Sequence, residues 1–118
     1  MCPHKGVEGL KAALAEASAQ GKTVMLDFYA DWCVSCKEME HYTFTDKRVQ
    51  GALAGAVLVQ ADVTANDKID QALLAHFGIF GPPTIVFYDR RGNEIDGQRV
   101  IGYMDGDDFL AHLDFVLR

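Results

Sequence analysis

Three short apolar runs constrain this chain more than any other feature. Thr23–Ala30 (TVMLDFYA), Ala56–Val63 (AVLVQADV) and Thr84–Tyr88 (TIVFY) are rich in strand formers and almost free of charge. Strict alternation would mark a strand with one wet face, whereas a continuous run marks a strand covered on both. Helical periodicity fills the intervals. Val7–Gln20 sets Leu10, Ala13, Leu14 and Ala17 at helical spacing and stops at Gly21. A helix is expected over Cys33–Tyr42, a shorter one over Asp46–Ala54, and a third over Lys68–Phe77, closed by Gly78. Gln98–Ile101, following a turn at Gly92, reads as an antiparallel edge strand. Asp105 suits the N-cap of a last helix with Phe109, Leu110, Leu113, Val116 and Leu117 on one face. The order α-β-α-β-α-β-β-α predicts right-handed crossovers, a parallel sheet core and an antiparallel pair at its end. The fold class is a three-layer α/β/α sandwich with a mixed sheet.

A chain of 118 residues amounts to one domain, and no repeat or Ser/Pro-rich linker divides it. Residues 1–118 are therefore expected to form a single unit, with about the first six as a loose tail. With 49% hydrophobic and 24% charged residues, disorder, collagen and coiled coil are excluded. A net charge of −6 without a basic cluster argues against a nucleic-acid partner. No apolar run approaches the roughly 18 residues needed to span a bilayer. Met1–Lys5 lacks the apolar stretch of a secretory signal, so a chain working outside the cytoplasm would take its signal from a longer precursor. No apolar stripe suggests self-association, and a monomer is expected.

Chemistry concentrates at Trp32-Cys33-Val34-Ser35-Cys36-Lys37, where a buried strand meets a helix. Cys33 falls at the helix N-terminus, where free N–H groups and the macrodipole favour an anion. Cys36 lies one turn on. Side chains three apart on a helix approach to roughly 5–6 Å between Cβ atoms, close enough to bond with little backbone movement. Such a pair can cycle between dithiol and disulfide, with the more exposed Cys33 attacking and Cys36 resolving the mixed disulfide. The same spacing also opens zinc sites, but two further ligands are missing, since His41, His76 and His112 are scattered. A copper(I) module using Cys33, Cys36 and Cys2 or His4 is the alternative of another class. Otherwise Cys2 reads as tail.

Two carboxylates bear on the sulfurs. Asp27 is the one charge inside the first apolar run, six residues before Cys33, and burial should raise its pKa or give it a role. Glu40 follows Cys36 by four residues and Cys33 by seven, on the same helix face, although a solvated glutamate is the plainer reading. Negative charge there disfavours a Cys33 thiolate. A thiol at ~8.5 is about 3% ionised at neutral pH, and one unit higher it is about 0.3%. A dithiol so tuned is a slow nucleophile until a docked partner activates it. Trp32, beside the thiol, shields the site and offers contact area.

The stretch from Asp27 through Cys33, with the helix it opens and Pro83-Thr84, resembles thioredoxins. The closer resemblance is to the C-terminal (gamma) domains of the DsbD family of bacterial thiol:disulfide interchange proteins. It is carried by LDFYADWCVSCKEMEHYTF, QADVTAND, GPPTIVFYD and GYMDGDDFLAHL. The resemblance implies a thioredoxin-like fold and a periplasmic domain of an inner-membrane protein. It implies electrons arriving from a membrane-embedded domain of the same protein and leaving for its N-terminal immunoglobulin-like domain. Neither an organic cofactor nor a metal is implied, only the disulfide couple itself. Cys33 matches the nucleophile, Cys36 the resolving cysteine, Asp27 and Glu40 the acidic neighbours, and Pro83 the cis-proline facing the disulfide. Trp32, Val34, Ser35, Pro82 and Pro83 make up the expected partner-contact set. Val34-Ser35 replaces the Gly-Pro of ordinary thioredoxins, which argues against a general cytosolic reductase; a standalone reductase of broad specificity stays as the alternative. Gln60 stands where thioredoxins place a lysine near the buried aspartate, leaving Asp27 with less compensation.

Overall fold

Five strands, β1 (Cys2–His4), β2 (Val24–Tyr29), β3 (Val57–Asp62), β4 (Thr84–Tyr88) and β5 (Val100–Ile101), form one sheet in the order β1-β3-β2-β4-β5. The structure is a computed structural model that describes the backbone of residues 2–117 and the side chains of residues 5–117. The helices are α1 (Gly6–Ala19), α2 (Val34–Glu38), α3 (Lys47–Ala52), α4 (Lys68–Phe77) and α5 (Gly106–Val116), with a π-helical turn over Met39–Thr43.

The central strands are buried on both faces because helices cover both. On one side Leu26, Phe28, Val59 and Val86 pack with Leu10 and Ala13 of α1 and Leu73 of α4. On the other, Met25, Ile85, Phe87 and Val100 pack with Met39, Val49, Phe109 and Leu113. Successive strand residues alternate between these layers, so Asp27 shares the face of Met25. Phe28 meets Phe77 edge-on at 5.3 Å between ring centroids, within the favoured range for aromatic pairs. The predicted three-layer α/β sandwich is the fold observed.

The structure departs from the sequence reading in three places. First, the third apolar run does not extend the parallel core. β1, β3 and β2 run parallel, but β4 runs antiparallel to β2, with Thr84 opposite Phe28. The chain thus enters β4 at the same end where it left β3. The ten-residue helix α4, about 15 Å long, does not carry it to the far end of the sheet. A loop then reverses it, with Gly78 and Gly81 at positive φ and a cis Pro82–Pro83 bond.

Second, the segment before α1 carries a strand that the sequence reading did not include. Cys2–His4 pairs with Val59–Ala61, supplying the backbone partners that the outer side of β3 would otherwise lack. Lys5 donates to Asp67 at 2.9 Å and to the buried Asp70 at 2.8 Å, fastening the segment to α4. Gly6 turns the chain into α1 at φ +68°, and a Cβ there would lie 2.6 Å from Ile69 Cγ2. Gly6→Ala is therefore expected to cost about 1–2 kcal/mol, read as a lower urea midpoint at unchanged slope. An unaltered midpoint would show that α1 can start without this close approach.

Third, the helix after Cys33 is not regular. Beyond Glu38 it widens into the π-helical turn, where Phe44 N–H bonds Met39 C=O at 2.8 Å. The wide turn presents both Met39 and Thr43 to the segment before α5. Thr43 Oγ1 donates to Met104 C=O at 2.6 Å, and Met104 N–H reaches Met39 Sδ at 3.3 Å. Tertiary bonds reward the looser winding here.

Candidate active site

The first apolar run ends at Ala30, and a tight turn leads directly into α2, with Cys33 N–H bonded to Ala30 C=O at 3.1 Å. Cys33 is the N-cap of α2, and its sulfur accepts the Cys36 N–H at 3.2 Å. Cys33 and Cys36 are joined by a disulfide, with Cα atoms 5.3 Å apart. Exposure hardly separates the two residues, at 6% and 4%, so the expected contrast in accessibility is small. Position distinguishes them better. Cys33 sits at the mouth of the turn, while Cys36 Sγ lies inward, 3.8 Å from the Phe28 carbonyl oxygen.

Asp27, the residue before Phe28, is 6% exposed. Its strand register sets it between Gln60 of β3 and Ile85 of β4, a neutral amide and an aliphatic side chain rather than a cation. Burial, and secondarily the negative charge of Glu40, push the Asp27 carboxyl from its ordinary 3.8 up to about 7. Glu40 itself is exposed at the start of the π-helical turn, in agreement with the plainer reading of its surroundings.

Sequence reasoning missed a polar cluster on the outer side of the turn. The Lys37 ammonium donates to the Tyr29 hydroxyl, which donates to Asp31 at 2.8 Å. Asp31 N–H donates to Thr64 Oγ1 at 2.9 Å, and the Trp32 indole N–H donates to Thr64 C=O at 3.0 Å. Thr64 lies within QADVTAND, a segment whose sequence pattern carries no chemical signal of its own.

Around the disulfide the structure assembles an apolar rim. Trp32 is 57% and Val34 72% exposed, and Ser35, Pro82 and Pro83 are half-buried. Gly102 N–H bonds Pro83 C=O at 3.0 Å and Ile101 pairs with Thr84. Two further exposed apolar residues, Ile101 and Tyr103, are thereby set beside the Pro82–Pro83 loop, on whose approach Phe80 stands fully exposed. Because β4 begins where β2 ends, all of these lie at the disulfide end of the sheet. No stripe in the sequence announced them, since they come from three separate segments. Tyr42, at the end of the π-helical turn, is also exposed.

Among the described residues, no group of three or more His, Cys, Asp or Glu is placed to hold a metal ion. The side chains of Cys2 and His4, which the copper(I) alternative needs, lie outside the described residues. What this arrangement can do is exchange a disulfide: one sulfur at the N-cap of a helix, a second one turn on, and exposed apolar side chains on the neighbouring segments.

Comparison with known proteins agrees with this geometry. Residues 10–117 match the family model for a thioredoxin-like domain. The thiol:disulfide interchange protein DsbD of Escherichia coli K12 is 58% identical over 109 residues, covering 92% of this chain but 19% of that protein. The chain thus spans about one fifth of the length of such relatives. The oxidised C-terminal domain of Neisseria meningitidis DsbD superposes with a TM-score of 0.82 at 36% identity, covering 98% of this chain and 99% of that one. A thioredoxin from Thermus thermophilus superposes at 0.78 with 26% identity, covering 99% and 87%. The sulfur pair at the strand–helix junction, the sheet that carries it and the length matched together make the chain a member of the thioredoxin-like family and, within it, of the C-terminal domains of DsbD.

Proposed function

We propose that this chain reduces protein disulfides by dithiol–disulfide exchange, as the periplasmic C-terminal module of a longer inner-membrane protein. The observation that carries this reading is a nearly buried Cys33–Cys36 disulfide at a helix N-cap, ringed by exposed apolar side chains. In the reduced protein, the Cys33 thiolate attacks one sulfur of the partner's disulfide. That S–S bond breaks, its other sulfur leaves as a thiolate that takes a proton, and a mixed disulfide forms. Cys36, deprotonated, then attacks Cys33 Sγ. The partner departs with both sulfurs reduced, two electrons have moved, and the Cys33–Cys36 bond is restored. The role assigned to Asp27, a buried carboxyl that keeps its proton up to about 7, is to take the proton that Cys36 gives up. Trp32, Val34, Ser35, Pro82 and Pro83 supply the docking surface.

An upstream dithiol must return the electrons. The relatives' name, thiol:disulfide interchange protein, and the fifth of their length matched here support exchange between domains of one longer protein; the membrane-embedded donor and the immunoglobulin-like acceptor are what the sequence resemblance implies. No helix among the described residues is long and apolar enough to cross a membrane.

Turnover of a protein disulfide such as insulin's, driven by dithiothreitol, tests the activity. The chain is expected to accelerate reduction well above dithiothreitol alone. Stoichiometric copper(I) or zinc uptake by the anaerobic dithiol form, with no acceleration, would overturn the reading in favour of a metal module.

A further inference from the structure

We propose that Thr64 is a positioning residue for this exchange, acting from the loop after β3 to hold the two residues before Cys33 in the arrangement a protein partner docks against. The inference rests on the exchange reading above. Trp32 is 57% exposed, so packing leaves its indole substantial freedom. Thr64 removes it from two directions: its carbonyl accepts the indole N–H at 3.0 Å, and its hydroxyl accepts the Asp31 N–H at 2.9 Å.

The bracket is itself braced. Asp62 Oδ1 accepts the Thr64 N–H at 2.9 Å and also the Thr64 hydroxyl proton. Thr64 Oγ1 therefore donates once, to Asp62, and accepts once, from Asp31, the two roles one hydroxyl can fill together. The loop is closed behind it by Asn66 N–H to Val63 C=O at 3.0 Å, with Asn66 at φ +49°. Ordering an exposed side chain during docking has an entropic cost, and a site ordered beforehand avoids it. A small disulfide reagent, which needs only the sulfurs, gains nothing from it. Thr64 is therefore a determinant of protein substrates rather than of sulfur chemistry.

Thr64→Val keeps the shape and removes both hydroxyl roles, while Thr64→Ser keeps them. In Thr64→Val, kcat/KM for a protein disulfide is expected to fall about five- to tenfold, mostly through KM, the scale of one or two net hydrogen bonds. Its rate with a small aromatic disulfide should stay within about twofold of the parent, and Thr64→Ser should match the parent on both. Trp32 is the only tryptophan, so acrylamide quenching of its emission reports on the indole directly, and it should rise in Thr64→Val alone. Parental rates and quenching in Thr64→Val would overturn the proposal. So would equal losses on both disulfides, or a Thr64→Ser protein as impaired as Thr64→Val. A parent chain inert toward both disulfides would instead overturn the exchange reading on which the proposal stands.

Discussion

Reduced Cys36→Ala protein offered a protein disulfide should accumulate as a covalent complex through Cys33, with turnover reduced by on the order of a thousandfold or more. Cys33→Ala should lose turnover to a similar degree and yield no complex. The asymmetry follows from where the sulfurs sit. Cys33 caps α2 at the mouth of the turn, where the helix N-terminus favours its thiolate. Cys36 lies one turn on, with its sulfur 3.8 Å from the Phe28 carbonyl oxygen, and is assigned the second, resolving attack. Without Cys36 the first exchange proceeds and the second cannot. Gel mobility without reductant, followed by mass spectrometry of the linked species, reads the result. A complex formed by Cys33→Ala instead would reverse the assignment. The same variant separates two scopes for the proposed function: one dominant partner captured from periplasm fits a relay, whereas many partners fit a broad reductase.

The second large effect concerns Asp27. Its carboxyl keeps its proton up to about 7 in the fold, mainly because of burial and secondarily because of Glu40, but releases it near 3.8 once unfolded. Between those values the folded chain binds one proton more than the unfolded chain. This contribution is fully present below about pH 4 and lost as pH rises through 7. A gap of about 3 pH units corresponds to up to about 4 kcal/mol at pH 8, where the fold must hold a buried charge with a neutral Gln60 opposite. Asp46, Asp67 and Asp89 act in the opposite sense. Their hydrogen bonds, first from the Arg48 side chain, the Asp70 N–H and the Asn93 N–H respectively, hold them low. The informative quantity is thus the difference between the parent and Asp27→Asn in urea unfolding of the oxidised protein. Asp27→Asn should gain on the parent from pH 5 to pH 8; parallel stabilities would refute the buried-charge account.

In the reduced protein the same substitution removes a buried negative charge one residue before Phe28, whose carbonyl the Cys36 sulfur approaches. Thiolate absorbance of Cys33 should therefore appear at lower pH in Asp27→Asn. Glu40→Gln should move it the same way but less, since Glu40 is exposed and screened by solvent. Coincident titration curves in parent and both variants would remove the two carboxylates from the tuning of the site.

The strands, most helices and the sulfur pair were legible because each is a local property. Thr84–Tyr88 and Lys68–Phe77 fall at the bounds read from hydrophobic runs and from Gly78, and Asp105 caps α5 through its bond to Asp108 N–H at 2.9 Å. Cys33 and Cys36 needed only a helix to face each other, and Asp27 stood out as a charge in an apolar run. What pattern alone left open was how distant segments meet. The direction of β4 depends on where α4 delivers the chain, a matter of packing against α1 rather than of any residue within the strand. The π-helical turn exists because Met39 and Thr43 find partners at Met104, sixty-one or more positions away. The apolar rim combines Trp32, Phe80, Ile101 and Tyr103, and the Thr64 bracket spans more than thirty residues. Sequence by itself determined the layers and the redox pair, because periodicity and spacing act within a few residues. Tertiary structure alone decided strand direction, the clustering of exposed apolar residues and the hydrogen bonds of Trp32, because those arise from contacts between elements that only folding brings together.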